Sequence, residues 1–231
     1  MKNQAVKETK RYHTTLYRNV KLFKKGSWLD KPDTVVMNLA RKLGRVNNLL
    51  VLDLGAGVGR HAIPIAKIIG KNNGKVICVD YLKVAEEKLI ENSIKYHVEE
   101  YVDSHFCDVS RFHIKKDNYN LIIAHSVLEH LNAKKLLASV IKNMILGTKK
   151  GGYNYIIFTT QLEEYEVKTK KKIAPQIEIN LGTREASRLI TKLYRNWRVI
   201  SLRTVPYREI LKRNKQDILW KCKYISLIAK K

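Results

Sequence analysis

The stretch Val51–Ala62, VLDLGAGVGRHA, decides how the rest of the chain is read. It continues the apolar run Leu49–Leu54, whose unbroken hydrophobicity fits a strand buried on both faces of a parallel sheet. Gly55, Gly57 and Gly59 follow at alternate positions, and a helical pattern opens at Arg60 with Ile65, Ile68 and Ile69 along one face. Glycines let the backbone turn sharply and approach a ligand with no Cβ in the way. The helix behind them offers free N–H groups and the positive end of a dipole. Asp80 ends the next apolar run, Lys75–Asp80 (KVICVD), 21 residues after Gly59. An acid at that place accepts hydrogen bonds from ribose hydroxyls. Strand, glycine loop, helix and spaced acid together predict a site for a ligand that contains a nucleoside.

Working outward, short apolar runs alternate with helical patterns. A helix is predicted over Leu82–Tyr96, strands at Tyr101–Phe106 and Asn120–Ala124, a helix over Ala133–Leu146 and a fifth strand at Tyr153–Phe158. Alternation at this spacing implies βαβ units. Beyond them come a helix over Thr183–Asn196, with Thr183 as its cap, and two strands at Trp197–Val205 and Leu219–Ile228. No crossover helix separates these two, so they should pair antiparallel. The expected fold is α/β, a Rossmann-like three-layer sandwich with a seven-stranded, mostly parallel sheet and an antiparallel C-terminal hairpin. The chain reads as one domain: an N-terminal helical lid over 1–44, a ligand-binding core over 45–160, an insertion or lid over 161–182, and the C-terminal helix and strands over 183–231.

Details of the loop narrow the ligand. Its G-x-G-x-G spacing differs from the G-x-G-x-x-G of dinucleotide binders. Asp53 stands two residues before the first glycine, where a cationic ligand group would be welcome, and Asp108 follows the third strand in Phe106–Val109. The pattern resembles class I S-adenosylmethionine-dependent methyltransferases, whose first motif D-x-G-x-G-x-G is matched by Asp53, Gly55, Gly57 and Gly59. The resemblance implies S-adenosylmethionine as cofactor and S-adenosylhomocysteine as product. It places Ala56 in the loop, Asp80 and Tyr81 at the ribose, and Asp108 and Val109 at the adenine. It sets His125 of the segment His125–His130 (HSVLEH) beside the methionine moiety and the acceptor. His125, Glu129 and His130 are the candidate bases; the two histidines are preferred for their pKa near neutrality, and Glu129 reads rather as an acid at a helix N-terminus. Gly59–Ala66 (GRHAIPIA) together with Trp28–Pro32 (WLDKP) is similar to the tellurite-resistance and thiopurine-type subset. In such enzymes the N-terminal segment folds over the cofactor, which would make Tyr12, Tyr17, Phe23 and Trp28 lid residues. Glu178 would reach the acceptor pocket from the other lid.

No N/D-P-P-Y/F tetrad follows the fourth strand, and no proline precedes a cysteine, so the two usual signatures of base-modifying enzymes are missing. The H-S-V-L-E-H-L form of His125–Leu131 is instead similar to small-molecule methyltransferases, a resemblance that implies transfer to a small-molecule acceptor. The alternatives are an RNA- or ribosome-directed methyltransferase and a non-catalytic protein that binds the cofactor and interacts through its basic surface. The charge bears on these. The 231 residues carry a formal net charge of +24. Residues 1–48 contribute +9, residues 49–160 only +4, and residues 161–231 +11. The surplus flanks the core, where it could meet a polyanion or simply follow A+T-rich codons. Nucleic acid is thus an admitted but less favoured partner. Cys78, Cys107 and Cys222 form no C-x-x-C, which speaks against a disulfide framework, and no metal is expected. With neither a secretory leader nor a membrane span in the reading, a cytoplasmic monomer or homodimer is expected.

Overall fold

The computed structural model describes residues 2–213 and 216–231, and the side chains of these from residue 6 onward. Its elements are α1 (Lys2–Asn19), α2 (Thr34–Leu43), β1 (Leu50–Leu54), α3 (Ala62–Ile69), β2 (Lys75–Asp80), α4 (Lys83–Lys95), β3 (Val102–Phe106) and β4 (Tyr119–His125). They continue with α5 (Lys134–Gly147), β5 (Thr148–Glu166), β6 (Lys172–Ile173), α6 (Thr183–Leu193), β7 (Arg198–Arg213) and β8 (Gln216–Lys230). The sheet runs β3-β2-β1-β4-β5-β8-β7, with the two-residue β6 pairing to β5. The first five strands are parallel, and β8 pairs antiparallel with both β5 and β7. The expected seven-stranded path is present, and β6 makes an eighth strand beside it.

Two apolar layers hold the sheet. Val51, Cys78, Leu121 and Tyr155 pack with α2, α3 and α4 on one face. Leu52, Leu54, Ile122 and Phe158 pack with α5 and α6 on the other. Side chains alternate along a strand, so β1 sends Leu52 and Leu54 to the second layer and Val51 and Asp53 to the first. The chain leaves β1 toward β2 and β3 and then returns to its other side as β4. The C-terminal ends of β1 and β4 therefore form the switch point where ligands bind in open α/β sheets.

The structure departs from the sequence reading where long-range pairing takes over. β5 does not stop at Phe158 but continues to Glu166, because β8 pairs with it as far as Glu166↔Ile218. The hairpin strands likewise extend beyond the expected Val205 and Leu219 ends, pairing from Arg198↔Lys230 to Arg213↔Gln216. The 161–182 insertion thus begins as sheet and becomes a loop only after β6. Thr183 does not cap α6. Gly182 occupies the cap position, and Thr183 Oγ1 instead donates to Gln161 Oε1 at 2.8 Å and lies 2.9 Å from Thr160 Oγ1. Among the described residues no helix is long and apolar enough to cross a membrane.

Candidate active site

The loop after β1 turns as its glycines require. Gly55, Gly57 and Gly59 have φ of +73°, +55° and +94°, a region that side chains with a Cβ enter only with strain. The amides of Gly55 and Ala56 both reach the Val79 carbonyl, at 2.8 and 3.1 Å. Asp80 then fixes the turn: Oδ2 accepts from Gly57 N and Oδ1 from Leu82 N, each at 2.9 Å. Burial raises the Asp80 pKa, and these amide bonds oppose the rise. A carboxylate has further lone pairs, so this one can anchor the loop and still accept a hydroxyl.

Two cavities meet over the C-terminal ends of the strands. The first, about 120 Å³, is lined by Gly55, Asp80, Tyr81, Asp108, Val109, Ser126, His130 and Glu178, with Val6, Thr9, Lys10, His13 and Tyr17 of α1 as its roof. The resemblance-assigned residues Asp80, Tyr81, Asp108 and Val109 are thus brought together. Asp108 also tightens its own turn, its Oδ1 accepting from Ser110 N at 2.8 Å and Ser110 Oγ at 2.7 Å. The second cavity, about 470 Å³, shares Thr9, His13, Tyr17, Gly55, Ser126 and His130 with the first. Ala56, Gly57, Tyr12, Trp28 and His125 line this second space. Gly59 lines neither cavity, because it packs against Leu89 and Ile63. Phe23 lies away from both, edge-on to Tyr96.

Asp53 lies beneath the loop and lines neither cavity; it is 1% exposed, with Oδ2 unpartnered. Burial pushes its pKa up to about 7, helped by Asp80 and opposed by Arg60. The folded-state value lies above the ordinary 3.8, so the unliganded fold is more stable in acid and loses that stability as pH rises through about 7. Asp53→Asn should therefore flatten the pH dependence of unfolding between about pH 4 and 7. It should also raise stability at pH 8 by a few kcal/mol, read from denaturant melts at each pH.

Two histidine groups flank the shared opening. His130 Nδ1 lies 2.8 Å from Glu178 Oε2. Burial disfavours the His130 cation, yet the Glu178 hydrogen bond and the charges of Glu129, Glu178 and Asp80 outweigh it and raise the pKa. His13, with ring centroid 5.9 Å from that of His130, is driven down to about 3 by burial and by the His130 charge. On the other side, His125 lies 3.5 Å from Asp33 Oδ2 and 3.4 Å from the Arg60 guanidinium. Burial works against the Asp33 carboxylate, but His125, Tyr155 and the Val35 amide hold it below the usual carboxylate range. Arg60 also donates to the Trp28 carbonyl at 2.9 Å and covers the Trp28 ring at 5.2 Å.

Sequence reasoning gave Asp33, Arg60 and three hairpin residues no part in the site, and it read Glu129 without its burial. Asp33 precedes an apolar periodic run, the usual place of a helix cap, and it does cap α2 through Val35 N at 2.7 Å. Arg60 reads only as the first residue of a helix. The hairpin residues Tyr207, Trp220 and Tyr224 enter the second cavity through tertiary folding that no local signal announces. Glu129 does stand in the first turn of a short 3-10 helix, Leu128–His130, but it is 1% exposed there and accepts from Thr159 N and Oγ1 at 3.2 and 2.5 Å.

The first cavity brings one positive-φ glycine, Gly55, together with Asp80, Tyr81, Asp108 and Val109. Among solved structures the chain is similar to the protein TehB from Haemophilus influenzae, with a TM-score of 0.66 and 20% identity over 90% of this chain. The present chain spans 64% of that structure's length. It is also similar to a methyltransferase dependent on S-adenosylmethionine from Methanosarcina mazei, with a TM-score of 0.59 and 14% identity over 87% of this chain and 98% of the other. A further one from Aquifex aeolicus gives 0.57 and 15% over 93% and 97%. No curated protein sequence matches the chain. These likenesses show the fold read above. The model of the family described as tellurite resistance protein TehB matches residues 17–201, most of the chain, and the protein belongs to that family.

Proposed function

We propose that the protein is a methyltransferase that uses S-adenosylmethionine and acts on a small-molecule acceptor. The observation that carries this reading is the pair of joined cavities. A nucleoside pocket of Asp80, Tyr81, Asp108 and Val109 opens past Ser126 and His130 onto a separate, larger space. When bound, the cofactor supplies an electrophilic methyl group. Asp80 and Tyr81 would hold the ribose, Asp108 and Val109 the adenine. Displacement at an activated methyl needs mainly alignment of the acceptor, which the second cavity provides. That cavity is lined by Tyr12 and Trp28 among others and holds about 470 Å³, within the usual span for small ligands.

His130 stands where the two spaces meet, with Glu178 fixing its ring through Nδ1. It is placed to take a proton from the acceptor, and only its neutral form can do so. Because Glu178 raises the His130 pKa, activity should climb with pH through that value. Glu178→Gln should move this acid limb to lower pH. His130→Asn should lower kcat by about 10²-fold or more, with S-adenosylhomocysteine affinity changed less than threefold. An unchanged pH profile in Glu178→Gln would remove His130 from proton transfer. Calorimetric titration with S-adenosylmethionine and S-adenosylhomocysteine tests the cofactor itself, and an absence of binding at millimolar ligand would overturn the reading.

A further inference from the structure

The second cavity has a chemical character opposite to that of the chain as a whole. Its outer wall is aromatic: the Tyr207, Trp220 and Tyr224 rings form a triangle with centroids 5.1 to 6.0 Å apart. Tyr12 of α1 lines the same space. Carboxylates stand among these rings. Glu209 accepts from the Tyr207 hydroxyl at 2.9 Å. Glu129 is buried in the cavity wall with Oε2 unpartnered, its other oxygen being taken by Thr159. Both cations in the lining are matched by acids. Arg213 forms a two-point pair with the buried Glu164 at 2.6 and 3.0 Å, and Arg60 lies in the field of Asp33 and Asp53.

Neighbouring groups register the resulting negative field. Tyr12 ionises less readily, through burial first and the Glu209 charge next, with Arg213 opposing. Cys222 is pushed up to about 12 by burial and by Glu129. Tyr224 is raised by burial, with Glu129 and Glu209 among the contributing charges. Aromatic faces with nearby carboxylates attract organic cations, since the ring quadrupole and the formal charge act in the same sense. In a chain of net charge +24, these acids are gathered where an acceptor would sit.

Building on the methyltransferase reading, we propose that the acceptor is an organic amine, held by its cationic form against the Tyr12, Tyr207, Trp220 and Tyr224 rings and the carboxylates of Glu129 and Glu209. Transfer from such an acceptor balances simply. The ammonium gives its proton to neutral His130, and the freed nitrogen lone pair bonds to the methyl carbon. The carbon–sulfur bond breaks with its electrons staying on sulfur. The sulfonium charge is thereby carried over to the methylated nitrogen, which the same wall accommodates.

The test uses the full chain saturated with S-adenosylhomocysteine and three probes of one size: benzyltrimethylammonium, its neutral carbon isostere neopentylbenzene, and benzenesulfonate. Benzyltrimethylammonium should bind at least tenfold tighter than the other two by competition or calorimetry. Trp220→Phe should keep most of that preference. Trp220→Ala and Glu209→Gln should each weaken cation binding about tenfold, with S-adenosylhomocysteine affinity unchanged. Benzylamine should then accept labelled methyl from S-adenosylmethionine, while benzyl alcohol should not. Equal binding of the three probes, or a preference for benzenesulfonate, by a protein that still binds S-adenosylhomocysteine overturns the amine proposal and leaves the methyltransferase reading intact. Failure to bind S-adenosylhomocysteine overturns that reading first.

Discussion

Asp80→Ala should reduce affinity for S-adenosylhomocysteine by about 10²- to 10⁴-fold in calorimetric titration. Two effects add. In the proposed reading the carboxylate accepts two ribose hydroxyls, and hydrogen bonds to a charged acceptor contribute about 1.5–3 kcal/mol each. The same carboxylate also holds Gly57 N and Leu82 N, each at 2.9 Å. Without it the Gly57 amide loses its acceptor, and the loop loses the restraint that keeps its positive-φ shape. Asp80→Asn separates the two effects. It keeps one oxygen and most of the shape, so it should lose less affinity than alanine. Wild-type affinity in Asp80→Ala would mean that no ribose meets this residue.

Gly59→Ala should lower stability rather than affinity, by about 2–5 kcal/mol. Its φ of +94° lies where an alanine is strained whatever the space, and a Cβ there would come within 2.7 Å of Leu89 Cδ1 and 2.9 Å of Ile63 Cγ1. Both neighbours are fully buried, so they yield only by disturbing the packing of α3 and α4 against the sheet. The conformational penalty is about 1–2 kcal/mol and overpacking adds about 1–3 kcal/mol. At about 2–4 °C per kcal/mol for a chain of this length, the melting temperature should fall by roughly 4–20 °C. Gly26→Ala is the internal control. Gly26 has a φ of +78° with nothing within 4 Å of the added Cβ, so it should show the conformational part alone. Equal losses at the two positions would mean that the packing around Gly59 tolerates the methyl group.

Much of this was legible in the sequence, and the boundary of legibility has a physical basis. The loop after β1, the acid at the end of β2 and Asp108 after β3 are local signals, because each residue type is dictated by the backbone conformation or the ligand edge beside it. The parallel core was legible for the same reason: strands buried on both faces must be apolar throughout. Asp53 misled in part. Its position in the motif suggested a group open to a cationic ligand, but strand alternation puts it on the face with Val51, under the loop. Glu129 misled more. The sequence shows a short acidic turn, and only the approach of Thr159 from β5 turns that acid inward. The aromatic wall was out of reach altogether. Tyr207, Trp220 and Tyr224 look like ordinary strand residues. They become a wall because β8 pairs with β5 far past the expected end of that strand.

The roof over the first cavity has a consequence for how ligands come and go. Tyr17 is buried, and its hydroxyl lies 2.7 Å from where a Cβ on Gly57 would be. The space left beneath α1 is about 120 Å³, well short of the roughly 300 Å³ or more that a nucleoside-sized ligand occupies. Such a ligand is expected to enter only the fraction of molecules in which α1 has lifted. The measured dissociation constant is then the intrinsic one divided by that fraction. Every contact that seals α1 onto the loop strengthens the resting fold and, in the same measure, weakens the grip on whatever must enter beneath it.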